Sequence, residues 1–146
     1  MDHQAVLDQA LERWNAAGLR WNPSAYADCF TEDGLFFGGR PTHAVGRNAI
    51  RAYFESYVGV ITVCQLALRD QQFVEAGPGF LLAQGWGEFS FILADGERTG
   101  STVRTTWLLQ QLPDGKWKIR QQHIAPPPAV PPLGRDASAG VPTEGR

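Results

Sequence analysis

Apolar positions recur at two periods along the chain, and the change falls near residue 60. From about Asp2 to Leu19, Leu7, Ala10, Leu11, Trp14, Ala17 and Gly18 form one stripe at helical spacing. Asp2 is a candidate N-cap for that helix. Asn22-Pro23 opens a second, short helix, with Asn as cap and Pro in the first turn, where its missing N–H costs nothing. Tyr26 and Phe30, four apart, share a face there. The Thr31-Glu32-Asp33-Gly34 cluster ends it, with Asp33 read as a turn or cap residue. Leu35-Phe36-Phe37 reads as a short strand and Gly38-Gly39-Arg40-Pro41 as a turn. A third helix is predicted from Gly46 or Arg47 to Tyr57, burying Ile50, Tyr53, Phe54 and Tyr57.

Beyond residue 60 the apolar residues alternate or run together, rich in β-branched types. This predicts four long strands: Val60 to Ala76, Phe80 to Leu93, Arg98 to Leu112 and Lys116 to Ala125. Gly77-Pro78-Gly79, Asp95-Gly96 and Pro113-Asp114-Gly115 supply the turns. Helices grouped before a meander of strands predict an α+β single domain over 1–126, with the three N-terminal helices packed on one face of a curved antiparallel sheet. From Pro126 the composition shifts to Pro, Gly, Ala and small polar residues. Residues 127–146 are therefore expected to be a disordered tail, too poor in large apolar groups to fold alone.

Alternation assigns side chains to the two sheet faces. Arg104, Thr106 and Leu108 share one face, as Trp117, Ile119, Gln121 and His123 do on the last strand. A face that mixes Arg, Gln and His with apolar residues is expected to floor a small-molecule pocket. The opposite parity, with Val103, Trp107, Leu109, Leu81, Phe89 and Phe91, is expected to be an uncovered apolar face and to pair sheet to sheet in a homodimer.

Composition narrows the function. The chain has 146 residues, enough for one real core, and a formal net charge of -2, which provides no basic field for nucleic acid. No apolar run reaches the length of a membrane span and no leader precedes the first helix, so neither membrane nor secretion is expected. Cys29 and Cys64 lack metal-ligand spacing and read as reduced thiols of a cytoplasmic protein. His3 and His43 form no cluster with an acid, so no metal is expected, and no cofactor either.

The candidate chemistry gathers on the strands. His123 could act as a general acid or base, and an inward Arg104 requires an anion from the protein or from a ligand. Glu88, between Trp86 and Phe89, is the nearest carboxylate in the pattern. A two-residue turn at Asp95-Gly96 sets Gly87 opposite Arg104. A three-residue loop sets Trp86 there and brings Glu88 to the face of Arg104, and we favour it. Trp14, Tyr26, Tyr53 and Trp86 are candidate wall residues and Gln121 a polar floor residue. Trp107 and Trp117 read as packing.

Several segments together carry a resemblance. These are the helix stripe Ala10 to Trp14, Tyr26-Ala27-Asp28-Cys29-Phe30-Thr31-Glu32-Asp33-Gly34, Val45-Gly46-Arg47-Asn48-Ala49-Ile50, Arg104-Thr105-Thr106, and Asp114-Gly115-Lys116-Trp117-Lys118-Ile119, with His123 six residues after the tryptophan. In this order the chain resembles the nuclear-transport-factor-2-like superfamily, closest to its SnoaL-like, SgcJ/EcaC type, and relatives of ketosteroid isomerase. The resemblance implies a cone-shaped fold, a pocket between the helices and the concave sheet, and a sheet-to-sheet homodimer. It departs from the family at Ala125, where a serine is common. The resemblance does not imply a reaction. Two functions are therefore expected. One is a dimeric pocket protein for a small, partly apolar, anionic or carbonyl-bearing molecule. The other is a cofactor-independent isomerase, cyclase or dehydratase that moves a proton with His123 and Glu88.

Overall fold

The computed structural model describes residues 1–131 and 133. Helix α1 spans His3–Gly18, α2 Pro23–Asp28 and α3 Arg47–Glu55. The strands are β1 (Phe30–Phe37), β2 (Ala44–Val45), β3 (Ile61–Glu75), β4 (Phe80–Leu93), β5 (Arg98–Gln111) and β6 (Trp117–Ala125). Most of the expected tail, 127–146, lies outside the described residues. Both expected caps form: the Asp2 carboxylate accepts from the Ala5 N–H, and the Asn22 side chain from the Ala25 N–H. Each satisfies one of the orphan donors at a helix start.

The strands make one six-stranded sheet in the order β2-β1-β6-β5-β4-β3. The β3 to β6 meander is antiparallel as expected, but β1 joins it parallel to β6, so the sheet is mixed. Neither β2 nor this parallel pairing is signalled by alternation, because β2 is too short to show a period and the parallel pairing joins distant segments. The hairpin between β4 and β5 uses a three-residue loop, Ala94-Asp95-Gly96, and sets Trp86 opposite Arg104, as favoured from the sequence.

The helices cover the face that carries Leu81, Ala83, Trp107, Leu109 and Ile119, all of them buried. Trp14 is the hub. Its ring lies 4.7 Å from Tyr26, 5.6 Å from Phe54 and 5.6 Å from Trp107, so α1, α2, α3 and the sheet meet on one indole. At the outer edge, Asn15 of α1 donates to the Leu66 carbonyl at 2.9 Å and accepts from the Leu66 N–H at 2.8 Å. That amide occupies backbone groups that an edge strand otherwise leaves open. Gly18 permits the approach, since a Cβ there would stand 2.0 Å from the Cys64 carbonyl oxygen.

Two expectations about the faces are corrected. Val103, Trp107, Leu109 and Leu81 are buried beneath the helices, and Phe89 and Phe91 pack partly buried against the same core. They do not form an outer apolar face. The helix stripe is apolar and can only bury itself against the apolar side of the sheet, which sends Arg104 to the other side. In β6 the parity also breaks. The register steps from Leu108↔Gln121 to Leu109↔Ile119, leaving Arg120 as an extra residue. This bulge places Trp117 and Ile119 inward but Gln121 and His123 outward, so the four do not share a face.

Candidate functional site

Between the helices and the inner sheet face lies a cavity of about 370 Å³. Trp14 and Trp21 close one side, Tyr53 of α3 and Tyr57 in the turn after it another, and Phe89, Phe91, Val103 and Ile124 form the floor. Local sequence explains the wall. Trp21 follows the end of α1 at φ +42, and its indole Nε1–H donates to the Phe54 carbonyl at 2.9 Å, which locks that strained turn against α3. At the mouth, Gly38 and Gly39 cross in front of α3, and the Tyr53 hydroxyl accepts the Gly39 N–H at 2.8 Å. A Cβ at Gly38 would meet that hydroxyl at 2.4 Å, so glycine is required for the strap. Arg40 stacks over Tyr57 at 4.2 Å and donates to the Ser56 hydroxyl at 2.8 Å, pinning the strap down.

The cavity is almost free of ionisable groups. Among the described residues no carboxylate, histidine, lysine or arginine lines it, and the titratable ones that do are Cys64, Tyr53 and Tyr57. Burial pushes the Cys64 thiol up to about 11. Burial likewise holds the Tyr53 hydroxyl well above its ordinary range, so it stays protonated. That oxygen already accepts from Gly39, and the Tyr57 hydroxyl stands beside it. Tyr26 is a core residue, stacked on Phe54 at 4.1 Å and wholly buried. Its hydroxyl faces Cys64 without a well-formed hydrogen bond, and burial raises it strongly. Of the expected site residues, Trp14 and Tyr53 line this cavity and Tyr26 lies behind it.

The others sit across the sheet. Trp86, Arg104, Thr106 and His123 line a groove of about 510 Å³ on the outer face, with Asp70 and Gln84. Arg104 and His123 were expected on the floor of the covered pocket. The bulge at Arg120 and the apolar side of β5 account for the difference. Gln121 points outward for the same reason, opposite Leu108. Glu88 shares the face of Arg104 but is held by other partners: Arg69 Nη2 at 3.0 Å and the Thr102 hydroxyl at 2.6 Å. The Thr102 hydrogen bond first, and then Arg69, hold its carboxyl below the usual range. Register separates Glu88 from His123 by two strands and four positions along β5, roughly 16 Å between backbones. They cannot share one proton transfer.

Sequence reasoning missed Trp21, Tyr57 and Gln122. Gln122 takes the inner position that Gln121 was expected to hold. It is fully buried, opposite Trp107, and both of its amide atoms lack a hydrogen-bond partner. Only the bulge distinguishes the two glutamines, and a bulge leaves no residue signature here.

The SnoaL-like domain family matches residues 7–129. The chain belongs to that family. Its fold is that of the nuclear-transport-factor-2-like superfamily. A Xanthomonas campestris protein, provisionally described as a calcium/calmodulin dependent protein kinase II association domain, is similar at 23% identity and a TM-score of 0.74, over 87% of this chain and 86% of that one. A ketosteroid isomerase-like protein from Erwinia carotovora atroseptica is 18% identical, with a TM-score of 0.69 over 89% and 98%. A Catenulispora acidiphila protein in complex with S-DNPA is 21% identical, with a TM-score of 0.70 over 83% and 90%. At these identities the likeness shows the fold alone. No curated protein matches the chain. Among the described residues, no helix is long and apolar enough to cross a membrane.

Proposed function

We propose that this SnoaL-like domain binds a small, largely apolar, carbonyl-bearing molecule in the helix-covered cavity. The observation that carries the reading is the lining: aromatic and aliphatic walls, no charged group among the described residues, and the hydroxyls of Tyr53, Tyr57, Thr99 and Ser101 to meet a carbonyl. The ligand-bound Catenulispora relative supports small-molecule binding in this fold. Proton transfer by His123 with Glu88 loses support from their separation, and the cavity offers no base in its place. The anionic part of the expected ligand has no cation here to meet it.

The same reading includes a homodimer through the outer sheet face, the one the helices leave uncovered, where Leu82, Trp86, Ile92 and Leu108 are half-buried. Light scattering on the full chain tests it, and a monomer at micromolar concentration overturns it.

The pocket is tested by titrating 2-acetylnaphthalene while following tryptophan fluorescence, since Trp14 and Trp21 line the wall. Tyr53→Phe should weaken the ketone roughly fivefold, the size of one hydrogen bond. Val103→Phe, which fills the floor, should abolish binding. Unchanged affinity in both variants would place the ligand elsewhere.

A further inference from the structure

We propose that the chain beyond β6 acts as an internal ligand, folding back to seat Val130 and Leu133 in the mouth of the covered cavity. The mouth lies on the helix side of the sheet, so a homodimer through the outer face leaves it free. The effect on affinity rests on the binding reading above, whereas the contact itself does not. The structure shows the undocked form, with Val130 72% and Leu133 70% exposed.

Three observations carry it. The first is where the chain leaves the fold. β6 ends at Ala125, and Ala125 and Pro126 themselves line the cavity. β1 runs parallel to β6 with Phe37 beside His123, so the chain exits next to the Gly38-Gly39 strap at the mouth. It bends at Ala129 and Val130 rather than running straight away from the sheet. Val130 lies four residues past Pro126 and Leu133 seven. At about 3.1 Å per residue in an extended, proline-rich chain, the reach is roughly 12 and 22 Å. That suffices to cross the mouth of a cavity of about 370 Å³.

The second observation is complementarity. The lining is apolar, and its rim leaves Val60 50% exposed, with Val58 61% exposed in the same turn. Residues 127–133 carry no charge, and Val130 and Leu133 are their large apolar side chains; charges begin only at Arg135. Seating those two side chains against Val60 and Tyr57 removes apolar surface from water on both partners. The third is a low ordering cost. Five of the seven residues 126–132 are proline. Their fixed φ leaves the segment less freedom to lose on docking than an ordinary linker has.

The test is NMR on the full-length chain with labelled valine and leucine methyls and no ligand. Val130 or Leu133 methyls should show through-space contacts to the Tyr57 ring protons. Val130→Ser combined with Leu133→Ser, both past the last strand, should erase them. The same double variant should bind 2-acetylnaphthalene about fivefold more tightly, as when a competitor seated in about four molecules of five is removed. Val130→Ile keeps the apolar contact and should bind like the parent chain, within about twofold. Missing methyl contacts overturn the proposal, as does a measurable affinity that the double variant leaves unchanged. Contacts that arise only between differently labelled copies would assign the occupant to a second copy and overturn it equally. Methyl contacts without any binding of 2-acetylnaphthalene, in parent or variant, would count against the covered pocket and leave the docked segment standing.

Discussion

Gln122 lies directly across from Trp107 on the inner face of the sheet, and neither the amide nor the indole N–H finds a hydrogen-bond partner. The Trp14 indole N–H beside them is equally unpaired. A buried donor or acceptor left without a partner costs about 1–3 kcal/mol. Gln122→Leu keeps the approximate volume and removes two such atoms. It should stabilise the fold by about 1–2 kcal/mol, read as a higher urea midpoint at unchanged slope. A lower midpoint would mean that a tightly held water satisfies the amide in solution.

Asn15 works in the opposite sense. Its two bonds to Leu66 finish the β3 edge, so Asn15→Ala should destabilise by about 1–3 kcal/mol. Hydrogen exchange at the Leu66 amide should accelerate before that of its β4 partner Phe89. Equal acceleration across both strands would assign the loss to global stability alone.

Gly18 inverts the usual helix rule. Replacing a helical glycine by alanine ordinarily gains up to about 1 kcal/mol from propensity. Here the new methyl would meet the Cys64 carbonyl oxygen at 2.0 Å and the Tyr26 hydroxyl at 2.6 Å, and backbone cannot swing aside. Gly18→Ala should therefore lose about 1–3 kcal/mol in thermal or urea unfolding.

Glu88 gives a pH signature of known sign. Its folded carboxyl titrates below its ordinary 4.5, through Thr102 and then Arg69. The associated stability is present above that ordinary value and fades as pH falls through the lower, folded one. Carboxyl NMR should place the Glu88 midpoint below 4.5, and Thr102→Val should move it back up. A wild-type midpoint at or above 4.5 would contradict the contact.

Both cysteines should be slow toward thiol reagents. Burial raises Cys29 and Cys64 to about 11. At pH 8 that leaves roughly a hundredfold less thiolate than in an unfolded chain. Labelling with an aromatic disulfide should be correspondingly slow in buffer and rapid in urea. Fast native labelling of Cys64 would show that the cavity opens readily.

Much of the fold is legible in the sequence, because its signals are local. Asp2 and Asn22 cap the helices they precede, the loop at Ala94-Asp95-Gly96 fixes the register that faces Trp86 to Arg104, and the tryptophan on α1 anchors the core. The faces of the sheet are where local reading fails. Alternation says which residues share a side but not which side the helices take. A polar face with Arg104 and His123 resembles a site as readily as it resembles a solvent-facing surface. The helix stripe decides the matter, since Leu7, Ala10 and Trp14 need apolar partners and find them at Leu81, Val103 and Trp107. Arg120 then shifts the count by one, and nothing in its side chain announces that.

That extra residue makes β6 a strand read in two frames. Before Arg120 the odd positions face the helices, and after it the even ones do. Deleting this single residue would remove the bulge and leave Gln122 and Ile124 toward the helices, whereas pairing it regularly, with no bulge, would turn Gln121 and His123 toward Trp14 and expose Gln122 and Ile124. In this architecture the strand's length, as much as its composition, determines which molecules each side of the wall can meet.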